Sequence, residues 1–179
     1  MSEEKKEQWT TYMAITTVLI AVAATLATFK GGGFSTRSLL SQTKASDQWA
    51  FFQSKSIKGY IYELRKENIE LQVDLLEKQK GNESAIGKYK EKIKEYKDKI
   101  TKYDQEKEDI KKEAANFEAD RDISKKHSGE FGIAVIFLQV SILLSSIAAL
   151  SKKKFVWLCG LIVGIIGIFY FINGFFLFV

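Results

Sequence analysis

The chain has 179 residues, 46% hydrophobic and 27% charged, with a net charge of +5, no proline, one cysteine and one histidine. The lone Cys159 excludes an intramolecular disulfide framework, and the lone His127 excludes HExxH or His-cluster metal sites within one chain. Lysines are interspersed with acids and form no block of one sign, so the basic balance gives no nucleic-acid surface. The averages conceal a segregation, because apolar residues gather at the two ends while most charge lies between residues 44 and 126.

Residues 1–9 form a mixed tail, Glu3-Glu4-Lys5-Lys6-Glu7, with none of the compact basic start of a signal peptide. Thr10 to Phe29 follows without a charge. At ~1.5 Å per residue these twenty positions reach ~30 Å, the thickness of a bilayer core. This is the first predicted transmembrane helix, with Trp9 and Tyr12 at the level of an interfacial belt. Residues 30–45 read as a glycine-containing juxtamembrane linker. Lys30-Gly31-Gly32-Gly33 is expected to end the helix and redirect the chain. The run lacks the GxxxxGK[ST] spacing of a P-loop, while Lys30 and Arg37 could meet lipid headgroups.

Residues 46–126 read as an antiparallel coiled-coil hairpin turning at 81–84, where Gly81-Asn82-Glu83-Ser84 supplies stop and restart chemistry. Topology demands a doubling back, since the first and second spans are joined on one face of the membrane. In the first arm Ile57, Ile61, Leu64, Asn68, Leu71 and Leu75 follow a 4-3 spacing. In the second, Ile86, Ile93 and Ile100 share one heptad position, and Tyr89, Tyr96, Tyr103, Ile110 and Phe117 the other. Pairing across the turn is expected to set Leu71 near Ile93, Leu64 near Ile100 and Asn68 near Tyr96, so that these residues form the coil core. A second line on the first arm, Tyr62, Ile69, Val73 and Leu76, is then surplus and points to homo-oligomerisation or a protein partner along the coil. Residues 88–102 carry seven lysines against three acids and residues 104–122 eight acids against four bases, a weak further argument for staggered copies.

Phe131 to Leu150 and Phe155 to Val179 are two further uncharged runs, predicted as the second and third transmembrane helices at 131–150 and 155–179. Only Ser151-Lys152-Lys153-Lys154 separates them, so they form a hairpin. Gly160, Gly167 and Gly174 recur every seven residues and Gly164 completes a GxxxG, a stripe suited to close span packing. Gln139, mid-span, is expected to face a neighbouring helix. The basic turn places itself and the N-terminus in the cytoplasm and the coil outside.

Trp9-Thr10-Thr11-Tyr12, Phe29-Lys30-Gly31-Gly32-Gly33 and Ser46-Asp47-Gln48-Trp49-Ala50 leading to Gln53-Ser54-Lys55 resemble a bacterial membrane-protein family, domain-of-unknown-function 4337. The close match covers residues 9–60, and the coil-then-two-spans layout agrees over the rest. The resemblance implies a bacterial inner-membrane protein, brings no activity, and directs attention to Trp49 at the coil base; with the three spans and the basic turn this reads as a multi-pass protein with a periplasmic coil.

No constellation for catalysis emerges. A Ser-His-Asp triad would have to use His127, beside the membrane with no fold around it, and carboxylate pairs such as Glu108-Asp109 lie on a solvated helix without a cleft. The chain therefore reads as an all-α membrane protein, not an enzyme and without a cofactor. Its partners are the lipid bilayer and other copies of itself, not nucleic acid. A scaffold is the favoured function. The alternative is an oligomeric pore or transport accessory with the glycine-striped third span at its centre, and a third option is a subunit of a hetero-complex.

Overall fold

The computed structural model describes residues 2–78 and 81–178, with side chains from residue 8 onward. The expected basic flank at Lys5 and Lys6 and the last residue of the third segment, Val179, lie outside the described side chains. Three helices account for nearly all of it: α1 (Ser2–Glu77), α2 (Glu83–Ser151) and α3 (Lys154–Phe176), with no strand among the described residues. Each contains an 18-residue stretch long and apolar enough to cross a membrane, with mean hydropathies of 1.9, 2.4 and 2.6.

Two expectations about boundaries are corrected. The N-terminal tail is helical from Ser2, and the predicted linker at 30–45 is uninterrupted helix. Glycine lowers helix stability by about 1 kcal/mol relative to alanine without forbidding the conformation, whereas proline, absent here, would break it. Gly31 is also buried against a neighbouring helix, with Phe131 Cβ 3.0 Å from where its own Cβ would stand. The glycine run thus includes a helix contact where a stop was expected.

The turns sit where backbone sterics allow them. Gly81 takes a φ of 101°, a left-handed value natural to glycine, and Asn82 accepts the first bond of α2 from Ile86 N–H at 3.0 Å. Lys152 adopts a φ of 52° between α2 and α3, and Leu177 closes α3 in the same region with its N–H on Asn173 O at 2.7 Å.

The chain divides into two compact units. One comprises residues up to Leu40 together with those from Asp120. Its core joins Ile20, Ala24 and Ala27 of α1 to Phe131, Ala134 and Leu138 of α2, with Phe171 and Tyr170 of α3 packed alongside. A smaller cluster joins Met13, Ala148 and Trp157, flanked by Trp9. Alanines at four of these positions let backbones approach closely, so contact energy comes from dispersion between well-fitted surfaces.

The second unit, Ser41–Ala119, contains the charged segments of α1 and α2. Contacts run in reverse order: Glu77 with Lys90, Tyr62 with Tyr96 and Tyr103, Lys55 with Glu106, Trp49 with Glu118. On α2 the expected line is turned inward: Ile86, Tyr89, Ile93, Ile100, Tyr103 and Phe117 are half-buried, and Tyr96 and Ile110 buried.

On α1 the expectation is inverted. Val73 is 6% exposed, whereas Leu64, Leu71 and Leu75 are 61%, 62% and 63% exposed and Ile61 42%. The buried or half-buried positions are 41, 45, 48, 49, 52, 55, 56, 59, 62, 66, 69, 70, 73 and 76, which centre on a 4-3 line through 41, 45, 48, 52, 55, 59, 62, 66, 69, 73 and 76. Tyr62, Ile69, Val73 and Leu76, expected as an outward stripe, therefore form the inner face, and the expected core line is the outward one. Asn68 is exposed and donates to Leu64 O of its own helix at 3.0 Å, not to Tyr96. The rings set the pairing: Tyr62 lies 5.4 Å from Tyr96 and 5.8 Å from Tyr103, so the aromatic line of α2 takes an aromatic partner on α1 in place of the leucine line.

Candidate functional site

In the first unit the glycine stripe of α3 meets α2 of the same chain. A Cβ on Gly160 would lie 3.1 Å from Leu144 Cβ, on Gly164 2.8 Å from Ser141 Oγ, on Gly167 2.8 Å from Leu138 Cγ, and on Gly174 2.9 Å from the Phe131 ring. Ser141 Oγ donates to Gly160 O at 2.7 Å, a bond made feasible by that approach. Gln139 departs from expectation: it is exposed on the outer side of α2 instead of lying within this packing.

A polar clasp gathers where α2 passes the C-terminal end of α3. His127 Nδ1 lies 2.8 Å from Gly174 O, so this nitrogen carries the proton if the bond is made, and the imidazole stacks on Phe34 at 4.5 Å. Ser128 Oγ donates to Gly31 O at 3.0 Å. Asn173, 1% exposed, donates through Nδ2 to Glu130 at 2.7 Å and accepts Phe178 N–H through Oδ1 at 2.7 Å. A buried carboxamide is costly unless satisfied, and here both of its ends are used. Sequence reasoning passed over Glu130 and Phe34. The available signal was position: Glu130 is the last charge before the second apolar run, and Asn173 stands alone as a polar residue deep in the third. At the other end Trp157 Nε1 donates to Thr16 Oγ1 at 3.3 Å.

Lys30 and Arg37 line one shallow groove along α1 with Gly32 and Gly33, neither of which has a neighbour near its missing Cβ. Lys30 Nζ lies 5.9 Å from the centroid of the Phe175 ring. Of the three glycines, Gly31 makes the helix contact and the other two leave open space.

In the second unit the charges are organised around aromatic rings. Lys55 Nζ sits 2.6 Å from Glu106 Oε2, with the Phe51 ring at 5.0 Å and the Tyr103 ring at 5.5 Å. That ammonium holds the Glu106 carboxyl below the usual carboxylate range. Lys99 Nζ lies over Tyr62 at 4.9 Å and pairs with Glu95 at 2.7 Å, which lowers Glu95 and raises Lys99. Trp49, singled out at the coil base, donates through Nε1 to Glu118 at 2.9 Å and meets the Phe52 ring edge-on at 5.6 Å.

Outside this seam lies a continuous apolar face. Ile57, Ile61, Leu64, Leu71 and Leu75 are all exposed, spaced 4-3-7-4 with Asn68 completing the rhythm. Two positions separate this line from the buried one, which is a rotation of about 200° at 3.6 residues per turn. The two faces of α1 are thus nearly opposite.

Among proteins of known sequence, one family profile matches the chain: a domain of unknown function, DUF4337, over residues 9–177. No curated protein and no solved structure matches it.

Proposed function

We propose that this chain, which belongs to the DUF4337 family, is a non-enzymatic, membrane-anchored scaffold whose copies associate through spans and stalk. The three apolar helices are its spans, and the charged segments of α1 and α2 form an antiparallel coiled-coil hairpin. Support for the hairpin comes from the reverse order of contacts from Glu77–Lys90 to Trp49–Glu118 and from the seven-residue repeat of burial on both helices. The observation that carries association is the exposed Ile57–Leu75 line, an apolar surface without a neighbour within the described chain.

The basic Lys152–Lys154 turn assigns itself and the N-terminus to the cytoplasm and the stalk to the periplasm of a bacterial inner membrane. The pore reading is weaker. It needs the glycine stripe of α3 at a central interface, and those glycines are taken up by Ser141, Leu138, Leu144 and Phe131.

Alkaline carbonate extraction of membranes, followed by mass determination in mild detergent, tests the reading. The scaffold predicts retention in the membrane and a mass of two or more copies. Release by carbonate, or a single copy across a hundredfold range of concentration in lipid nanodiscs, would overturn it.

A further inference from the structure

We infer that the Ile57–Leu75 face of α1 is the docking surface for a second copy of this chain, packed parallel and in register with Asn68 against Asn68. The inference rests on the membrane-anchored reading above and specifies the surface, partner and orientation through which copies meet.

Spacing fixes the kind of partner. Ile57, Ile61, Leu64, Asn68, Leu71 and Leu75 alternate steps of four and three, so Ile61, Asn68 and Leu75 occupy a positions and Ile57, Leu64 and Leu71 d positions of a heptad. A seam of this form accepts a helix. It does not accept a small molecule, because the side chains stand in a line and enclose no cavity. Because the line lies about 200° from the face that meets α2, a second helix can occupy it without displacing the first.

Orientation follows from topology. Two copies inserted the same way leave the membrane on the same face, so like helices run in the same direction. A parallel pair sets a on a and d on d, which places Asn68 opposite Asn68. Within one chain Asn68 Nδ2 donates to Leu64 O. Its Oδ1 and second N–H remain for a partner carboxamide, whereas an apolar residue opposite would strand them. Ile61 at a with Leu64 and Leu71 at d is the combination that favours two strands, and the end positions Ile57 at d and Leu75 at a do not share it, so the preference for a pair rests on the central layers around Asn68.

Charge agrees. In the parallel register the flanking positions bring Gln53 beside Lys58, Tyr60 beside Arg65 and Glu67 beside Gln72, with no like-charged pair. An antiparallel pairing centred on the same stripe would bring Arg65 onto Arg65 and Glu67 onto Glu67. The seam spans ~27 Å at ~1.5 Å per residue, under three heptads, so it depends on confinement in the bilayer to raise the effective concentration of copies.

The test uses the full-length chain in membranes of the expressing cell, with Cys159→Ala removing the only thiol. Asn68→Cys and Leu71→Cys should give an oxidative crosslink of two-copy mass, at least five-fold above Glu63→Cys, which is exposed but off the line. Adding Leu64→Lys to Asn68→Cys should reduce the crosslink at least five-fold. Equal crosslinking at all three positions, none at Asn68→Cys and Leu71→Cys, or a product containing a different protein would each overturn the inference. Carbonate extraction of the same membranes separates the two readings. Release defeats the scaffold, whereas retention without a crosslink at the line defeats this surface alone. Should Cys159→Ala misfold, a photoreactive amino acid at position 68 in the native sequence reads the same contact.

Discussion

Alanine at Gly167 and at Gly33 should push stability in opposite directions. A Cβ at Gly167 would stand 2.8 Å from Leu138 Cγ, 2.9 Å from Cδ2 and 3.0 Å from Leu138 N, whereas at Gly33 nothing lies within 4 Å. Ordinary carbon contacts begin near ~3.5 Å, so the overlap is roughly half an ångström, and part of it is against backbone that cannot rotate away. Overpacking of this kind costs about 1–3 kcal/mol. Replacing a glycine in open helix gains about 0.5–1 kcal/mol from lost unfolded-state freedom. Because that gain is common to both helical positions, Gly167→Ala and Gly33→Ala should differ by the overpacking alone, about 1–3 kcal/mol, or roughly 2–12 °C in Tm at about 2–4 °C per kcal/mol. Cys159 lies on the same helix and provides the readout through a thiol-reactive dye during heating in detergent. Equal shifts for the two variants, or a gain from Gly167→Ala, would refute the α2–α3 packing.

The inverted face of α1 is tested by Val73→Ala against Leu71→Ala in dilute detergent. The first should cost about 1–2 kcal/mol and the second under about 0.5 kcal/mol, read by chemical denaturation. His127→Ala removes the contact with Gly174 O and the stack on Phe34, and should lower stability by about 1–2 kcal/mol in the same assay. The Lys55–Glu106 pair predicts a pH dependence. Because the folded Glu106 carboxyl titrates below its unfolded value, its contribution is present above the ordinary carboxylate range and is lost as pH falls through the lowered folded value. Glu106→Gln should flatten that part of an acid-unfolding curve of the full chain, and an unchanged curve would remove the pair from the argument.

Element type was readable in the sequence because its signals were long and unopposed. Three apolar runs, no proline and a glycine turn at Gly81 all pointed the same way. The inward face of α2 was equally clear, since Tyr89, Tyr96 and Tyr103 share a single heptad position. The face of α1 was misread because hydrophobicity ranks Leu64 and Leu71 above Tyr62, whereas the tyrosines of α2 pair with the Tyr62 ring. A register cue was present. Met13, Ile20, Ala27, Phe34, Ser41, Lys55, Tyr62, Ile69 and Leu76 share one seven-residue phase, and every one is buried or half-buried. That phase runs through Gly31–Gly33 undisturbed, the clearest sign that the glycines do not end a helix. The clasp at Glu130, Asn173 and His127 depends on residues 43 and 47 positions apart, a distance over which no local pattern reports.

The ring-mounted cations of the second unit bear on how this protein responds to its surroundings. Pairs between solvated charges fade over a Debye length of about 8 Å at physiological ionic strength, so a segment this rich in lysine and glutamate would ordinarily loosen in brine. Lys55 and Lys99 instead rest on the faces of Phe51, Tyr103 and Tyr62, where attraction comes from the ring quadrupole at 4.9–5.5 Å and water is partly displaced. That share of the cohesion between the two helices acts at contact range, so the most highly charged part of the chain should be less sensitive to osmotic swings than an assembly held by exposed ion pairs alone.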